Sequence, residues 1–110
     1  MREKEIEEYL TEQARARKGW ALKFVSPGCT GVPDRIVILP GGLVGFLELK
    51  APGEVPRKDQ LNRIRRLKEL GCTAGWADTK KKVDEFLTLL ECQKDGNGLL
   101  LDIPEAGGLI

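Results

Sequence analysis

Two β-prone runs on either side of Pro40-Gly41-Gly42 constrain this chain more than any other feature. Arg35 to Leu39 (RIVIL) is rich in β-branched residues, Leu43 to Lys50 is apolar until its end, and the triplet between them reads as a tight turn. The segment is therefore a β-hairpin. Side chains alternate along a strand, so Val44, Phe46, Glu48 and Lys50 share one side and Leu43, Leu47 and Leu49 the other. A three-residue loop centred on Gly41 would set Leu39 opposite Leu43 and Ile36 opposite Phe46. Asp34 would then stand across from Glu48, with Cβ atoms ~5 Å apart.

The flanking sequence supplies the rest of an α/β domain. Residues 2–18 are rich in Glu, Lys, Arg, Ala and Gln, with Ile6, Leu10 and Ala14 near helical spacing and Gly19 as a stop. Trp20 to Val25 reads as a strand that runs into a Pro- and Gly-containing loop, Ser26 to Pro33. After the hairpin, Arg57 to Leu70 is a helix with Leu61, Ile64 and Leu67 inward and Gly71 in the C′ position. Cys72 to Ala77 is a fourth strand, and Lys80 to Glu91 a third helix with Val83, Phe86, Leu87 and Leu90 on its apolar side. The expected order is α-β-β-β-α-β-α, a central mixed sheet flanked by helices. Residues 1–92 are read as the domain and 93–110 as a C-terminal extension, with Asp95-Gly96-Asn97-Gly98 as a tight turn and Leu99–Ile103 as a strand and tail.

Composition excludes several classes of chemistry. With 110 residues, 41% hydrophobic and 32% charged, the chain suits one soluble domain, and no apolar run approaches a membrane span. A cytoplasmic protein, encoded by a bacterial host or its phage, is the expectation. There is no His, so Ser-His-Asp and Cys-His catalysis and His-ligated metals are ruled out. Cys29, Cys72 and Cys92 form no CxxC pair and are read as reduced thiols, mostly in the core. No Walker A or GxGxxG sequence supports a nucleotide cofactor. Trp20 and Trp76 sit in apolar strand patterns and are expected to pack in the core.

The net charge of +1 conceals an uneven distribution. Both ends are acidic, whereas Pro56 to Lys82 carries nine Lys or Arg against three acids. That stretch either faces a polyanion or is a solvated helix surface.

The chemistry sits at the open end of the hairpin. Two close carboxylates, Asp34 and Glu48, repel each other unless a cation lies between them. Oxygen ligation by both, with the main-chain carbonyl of Leu49, suits Mg²⁺ or Mn²⁺, and such an ion can activate a water as nucleophile. Lys50, on the same side two residues on, could orient that water and balance charge on a phosphate. The alternative from spacing alone is an ordinary salt-bridged strand end.

Gly31-Val32-Pro33-Asp34, a hairpin, then Glu48-Leu49-Lys50-Ala51-Pro52-Gly53 and a downstream Gln60 resemble the PD-(D/E)xK nuclease signature, and more narrowly the virus-type replication-repair nuclease (VRR-NUC) family. The likeness runs from the Glu-rich first helix through Lys23-Phe24 and Ser26-Pro27-Gly28 to about Lys82. It implies a restriction-endonuclease-like core, Asp34 and Glu48 as metal ligands, Lys50 as the catalytic lysine and Gln60 as an active-site residue. It also implies a metal-directed Glu from the first helix, where Glu3 and Glu7 lie one turn apart and Glu7 is preferred. Stand-alone members resembling this chain cut Holliday junctions or other branched DNA as homodimers with Mg²⁺ or Mn²⁺, leaving 5′-phosphate and 3′-hydroxyl ends. The cations expected at DNA are Arg57, Lys58, Arg63 and Arg66, with Lys23 and Arg35. A nickase or nuclease of other specificity, and a catalytically idle DNA-binding module, are the competing readings.

Overall fold

The hairpin register is the one a three-residue turn requires. In the computed structural model, which describes the backbone of residues 1–102 and the side chains of residues 1–93, β2 (Arg35–Leu39) and β3 (Leu43–Leu49) pair antiparallel, with Leu39 opposite Leu43 and Ile36 opposite Phe46. They are the centre of a four-stranded mixed sheet. Helix α1 (Glu3–Ala16) leads into β1 (Trp20–Lys23), antiparallel to β2 at one edge. Helix α2 (Lys58–Glu69) is the crossover to β4 (Thr73–Ala77), which runs parallel to β3 at the other edge, and α3 (Lys80–Asp102) follows. The order is the expected α-β-β-β-α-β-α.

The two sides of the sheet are unequal. Val37, Leu39, Leu43, Leu47, Leu49 and Ala77 face α1 and α3, whose Ile6, Leu10, Ala14, Val83, Phe86, Leu87 and Leu90 complete the core. Gly45 stands where a Cβ would come within 2.8 Å of the Phe86 ring, so the central strand lets α3 approach closely. Tyr9 locks the two helices by donating its hydroxyl to Asp84 Oδ1 at 2.8 Å. The other side receives only α2, which packs against β4.

This asymmetry corrects several expectations. Trp20 is 63% exposed and not in the core, because β1 is an edge strand covered on its opposite side alone. Trp76 is half-buried, with Lys82 Nζ 3.8 Å from its ring centroid. Leu61 is 39% exposed, since α2 rests on one edge strand and buries only Gln60 and Ile64. Cys29 and Cys72 are half-buried and Cys92 is exposed; the core is built from aliphatic side chains and Phe86 instead. Helix α1 stops two residues early, at Ala16, and Lys18 takes the positive φ of 66° that ends it.

Helix α3 crosses the boundary expected at residue 92 and continues to Asp102. The turn expected at 95–98 and the strand expected from Leu99 lie within it; Ile103 and the tail fall outside the described residues. A short apolar run does not by itself separate strand from helix, Leu is a strong helix former, and elongating an existing helix needs no new nucleus. Among the described residues no helix is long and apolar enough to cross a membrane.

Candidate active site

Asp34 enters β2 and Glu48 leaves β3, and each carboxylate is held by the other strand's backbone. The Leu49 N–H donates to Asp34 Oδ1 at 3.1 Å, and the Asp34 N–H donates to Glu48 Oε1 at 3.2 Å. The loop that delivers Asp34 needs a glycine. Gly31 has φ +84°, and a Cβ there would come 2.9 Å from the Asp59 carbonyl oxygen at the start of α2. Arg63 Nε ties the same loop to α2 by donating to the Thr30 carbonyl at 3.0 Å.

Gln60 links the helix to the acid pair. Its Oε1 accepts the Arg57 N–H at 2.8 Å, satisfying one free donor at the helix start, while its Nε2 donates to Glu48 Oε2 at 3.1 Å. One amide therefore closes α2 and orients a carboxylate that is 5% exposed. Lys50 Nζ lies 3.6 Å from the same Glu48 oxygen. Asp34, Glu48, Lys50 and Gln60 thus meet at one end of the sheet.

Burial pushes the Asp34 carboxyl above the usual range, with the charge of Glu3 adding to it and the Leu49 N–H and Lys50 opposing it. Burial also raises Glu48, and the charge of Asp34 raises it further. Two hard-oxygen acids that resist ionising beside each other suit a divalent cation, which relieves both penalties. Among the described residues no group of three or more Asp, Glu, Cys or His side chains forms a ready-made cage. Mg²⁺ and Mn²⁺ fit that arrangement, because Mg²⁺ commonly keeps several waters and takes only one or two carboxylates.

The chain matches no family model. It is 52% identical over 71 residues to "Putative nuclease p44" of Acyrthosiphon pisum secondary endosymbiont phage 1, covering 64% of this chain and 76% of that protein. A solved structure described as a VRR_NUC domain superposes with a TM-score of 0.71 at 30% identity, over 78% of this chain and 94% of the other. The chain belongs to the VRR-NUC family.

Within this VRR-NUC domain, the first helix is wired differently from the expectation. Glu7 is ion-paired with Arg35 Nη2, while Arg35 Nη1 donates to the Asp34 carbonyl at 3.0 Å and lies 3.4 Å from Asp34 Oδ2. Arg35 is 6% exposed and ties α1 to the start of β2 as an internal strut. Glu7 is committed to that strut; Glu3 is the first-helix acid whose charge reaches Asp34. Spacing could not separate two glutamates one turn apart. What distinguishes them is Arg35, which comes from β2 and pairs with Glu7.

Glu7→Gln is expected to destabilise the domain by about 1–3 kcal/mol, because it leaves a buried guanidinium short of one partner. Its Mn²⁺ affinity should match that of the parent protein. Urea unfolding and Mn²⁺ titration of the same variant check this; lost affinity with unchanged stability would make Glu7 a ligand.

Asp78 is a site-supporting residue that the sequence reading missed. Its Oδ2 accepts the Gly53 N–H at 3.1 Å and its Oδ1 lies 3.0 Å from Lys82 Nζ, so it pins the turn that follows Lys50 to the start of α3. The i,i+4 spacing of Asp78 and Lys82 was the available signal. Of the other cations, Lys58, Arg63 and Arg66 are exposed on α2, and Arg57 pairs with Asp59 at 3.1 Å. Lys23 lines an open cleft of about 390 Å³ with Glu7, Glu8, Glu12 and Arg35, on the α1 side of the sheet.

Proposed function

We propose that this VRR-NUC domain is a Mg²⁺- or Mn²⁺-dependent endonuclease that hydrolyses DNA phosphodiester bonds and acts on branched DNA, such as a four-way junction, as a homodimer. The observation that carries the reading is the facing pair of a half-buried Asp34 and a buried Glu48, each held by the other strand's backbone, with Lys50 Nζ 3.6 Å from Glu48 Oε2. Asp34 and Glu48 would hold the ion, with the Leu49 carbonyl and Glu3 as further donors. When bound, the ion supplies Lewis-acid activation of the attacking water and neutralises charge at the phosphate.

The chain's own groups do the remaining work. The Leu49 N–H and the Gln60 amide keep the two carboxylates from rotating, so their geometry is set before DNA arrives. Lys50 presents a cation on the same side as Glu48, where its N–H groups can donate to phosphate oxygens as negative charge builds during in-line attack. Cleavage is read as leaving a 5′-phosphate and a 3′-hydroxyl. One chain carries one such set, and symmetric cutting of a four-way junction requires two related by a two-fold axis.

Labelled linear, nicked, flapped and four-way-junction DNA, incubated side by side with Mg²⁺, Mn²⁺ or EDTA, test the proposal. Paired symmetric nicks in the junction, absent with EDTA, are expected. Equal cutting of linear duplex would remove the branched-DNA preference, and cutting in EDTA would remove the metal.

DNA should reach the site along α2, whose N-terminal end carries Gln60. Lys58 and Arg66 are exposed there, and each phosphate neutralised contributes about −0.9 to the slope of log K against log salt on duplex DNA. Lys58→Ala with Arg66→Ala should flatten that slope by up to about two units and weaken all DNA shapes alike, with cleavage at saturating DNA retained. Fluorescence anisotropy across a salt series measures it. An unchanged slope would move the DNA path off this helix.

A further inference from the structure

We infer that Asp78 is a positioning residue for Lys50: by holding the turn that follows Lys50 against the end of β4, it sets where the lysine's ammonium group lies. The inference rests on the role of Lys50 in the proposed reaction and extends it to a side chain that touches no substrate.

The turn is stiff but joined to the sheet at few points. Ala51-Pro52-Gly53-Glu54 has Pro second and Gly third, with Gly53 at φ +86° and the Glu54 N–H donating to the Ala51 carbonyl at 2.9 Å. That is the residue order of a type II turn, in which the N–H of the third residue takes no part in closing the turn. Proline also confines Ala51 to extended backbone. The four residues therefore move as one body, and Lys50 is the hinge on which they would swing. Pro52, Gly53, Glu54 and Val55 are exposed, so packing does little to stop that swing.

Two successive residues at the end of β4 stop it. The Lys50 N–H donates to the Ala77 carbonyl at 2.9 Å, and the otherwise free Gly53 N–H donates to Asp78 Oδ2 at 3.1 Å. Among the described residues no other side chain hydrogen-bonds the backbone of residues 51–56. Asp78 is itself held in place. It is 8% exposed, its Oδ1 lies 3.0 Å from Lys82 Nζ, and that ammonium lies 3.8 Å from the centroid of the Trp76 ring. The far end of the loop is anchored without Asp78, since Pro56 is buried and the Arg57 N–H donates to Gln60 Oε1 at 2.8 Å. The slack left by losing Asp78 would therefore fall on Lys50.

Slack matters at this place. Lys50 Nζ lies 3.6 Å from Glu48 Oε2, and misplacing a reacting group by about 1 Å can slow a reaction on the order of 10²-fold. Asp78 thereby contributes to the rate without contacting the phosphate or holding the ion.

Single-turnover cleavage by the parent protein, Asp78→Ala, Lys50→Ala and the double variant, at saturating metal and DNA, tests the inference as a cycle. Asp78→Ala should slow the parent protein by about 10-fold but slow Lys50→Ala by less than about 2-fold, because residues that act through one group are not additive. Asp78→Asn keeps an oxygen for the Gly53 N–H and should restore most of the rate. If Asp78→Ala folds poorly by circular dichroism, Asp78→Glu, which moves the acceptor by one methylene, should show the same dependence on Lys50. Equal slowing in both backgrounds, or Asp78→Ala at the parent rate, would overturn the inference. Amide hydrogen exchange reads the tether without cleavage: the Lys50 N–H should exchange at least about 10-fold faster in Asp78→Ala than in the parent protein, with the Val37 amide unchanged. Unchanged exchange at Lys50 would overturn the tether. A parent protein that cuts no DNA would instead sink the nuclease reading and leave the exchange result to decide the tether.

Discussion

Asp34→Asn and Glu48→Gln should each lower DNA cleavage on the order of 10³-fold or more, because each removes one of the two anionic donors that a divalent ion would share. Their effects on the metal-free protein should differ. In Asp34→Asn the side-chain oxygen can still accept the Leu49 N–H and the repulsion and burial that raise both carboxyls are relieved, while only the longer 3.4 Å contact with Arg35 Nη1 is given up at a partly exposed oxygen, so thermal stability should be retained or rise. In Glu48→Gln the new amide meets two donors, the Asp34 N–H and Gln60 Nε2, and one must go unmatched at a cost of about 1–3 kcal/mol.

The pH dependence carries the same signature. Both carboxyls titrate above their ordinary values in the folded state, so the folded protein binds protons that the unfolded chain has already released. The contribution of this pair to metal-free stability should therefore be greatest at or below the ordinary carboxylate range and fall as pH rises through the elevated values, whereas Asp78, held below that range by Lys82, contributes in the opposite sense. Asp34→Asn should flatten that fall. Thermal melts in chelator across pH, paired with single-turnover cleavage, check both halves; full activity in either variant would remove the pair from the site.

Lys50→Ala is the second large effect, and it should separate chemistry from binding. Lys50 Nζ lies 3.6 Å from Glu48 Oε2 and is half-buried, and in the proposed reaction it would offset charge on the scissile phosphate. Its removal should slow single-turnover cleavage on the order of 10²-fold or more at saturating metal and DNA. Glu48 also loses a charge that favours its ionised form, so metal binding should weaken more at lower pH than at higher pH. Mn²⁺ titration of the variant at two pH values, beside its cleavage rate, measures the split. A Mn²⁺ affinity that drops at the higher pH as far as the rate does would mean that Lys50 organises the ligands and does no chemistry.

The candidate site was legible to the extent that it rests on local rules. The Pro40-Gly41-Gly42 turn and the two-residue period of the strands were enough to bring Asp34 to Glu48, and the register of Leu39 with Leu43 bears out the assumed loop. Gln60 came from resemblance, and its bonds to Arg57 and Glu48 supply a physical role that no spacing rule contained.

The α-β-β-β-α-β-α order, the hairpin register and the grouping of Asp34, Glu48 and Lys50 at one strand end followed from local rules, because propensity, turn chemistry and side-chain alternation act over a few residues. Tertiary packing was needed to pair Glu7 with a buried Arg35, to brace the turn after Lys50 with Asp78, and to turn Trp20 outward. Each of these depends on partners far apart in the chain, and on helices α1 and α3 covering one side of the sheet while α2 covers only an edge of the other. Alternation states that a strand has two sides; the packing of helices chooses which of them is the core.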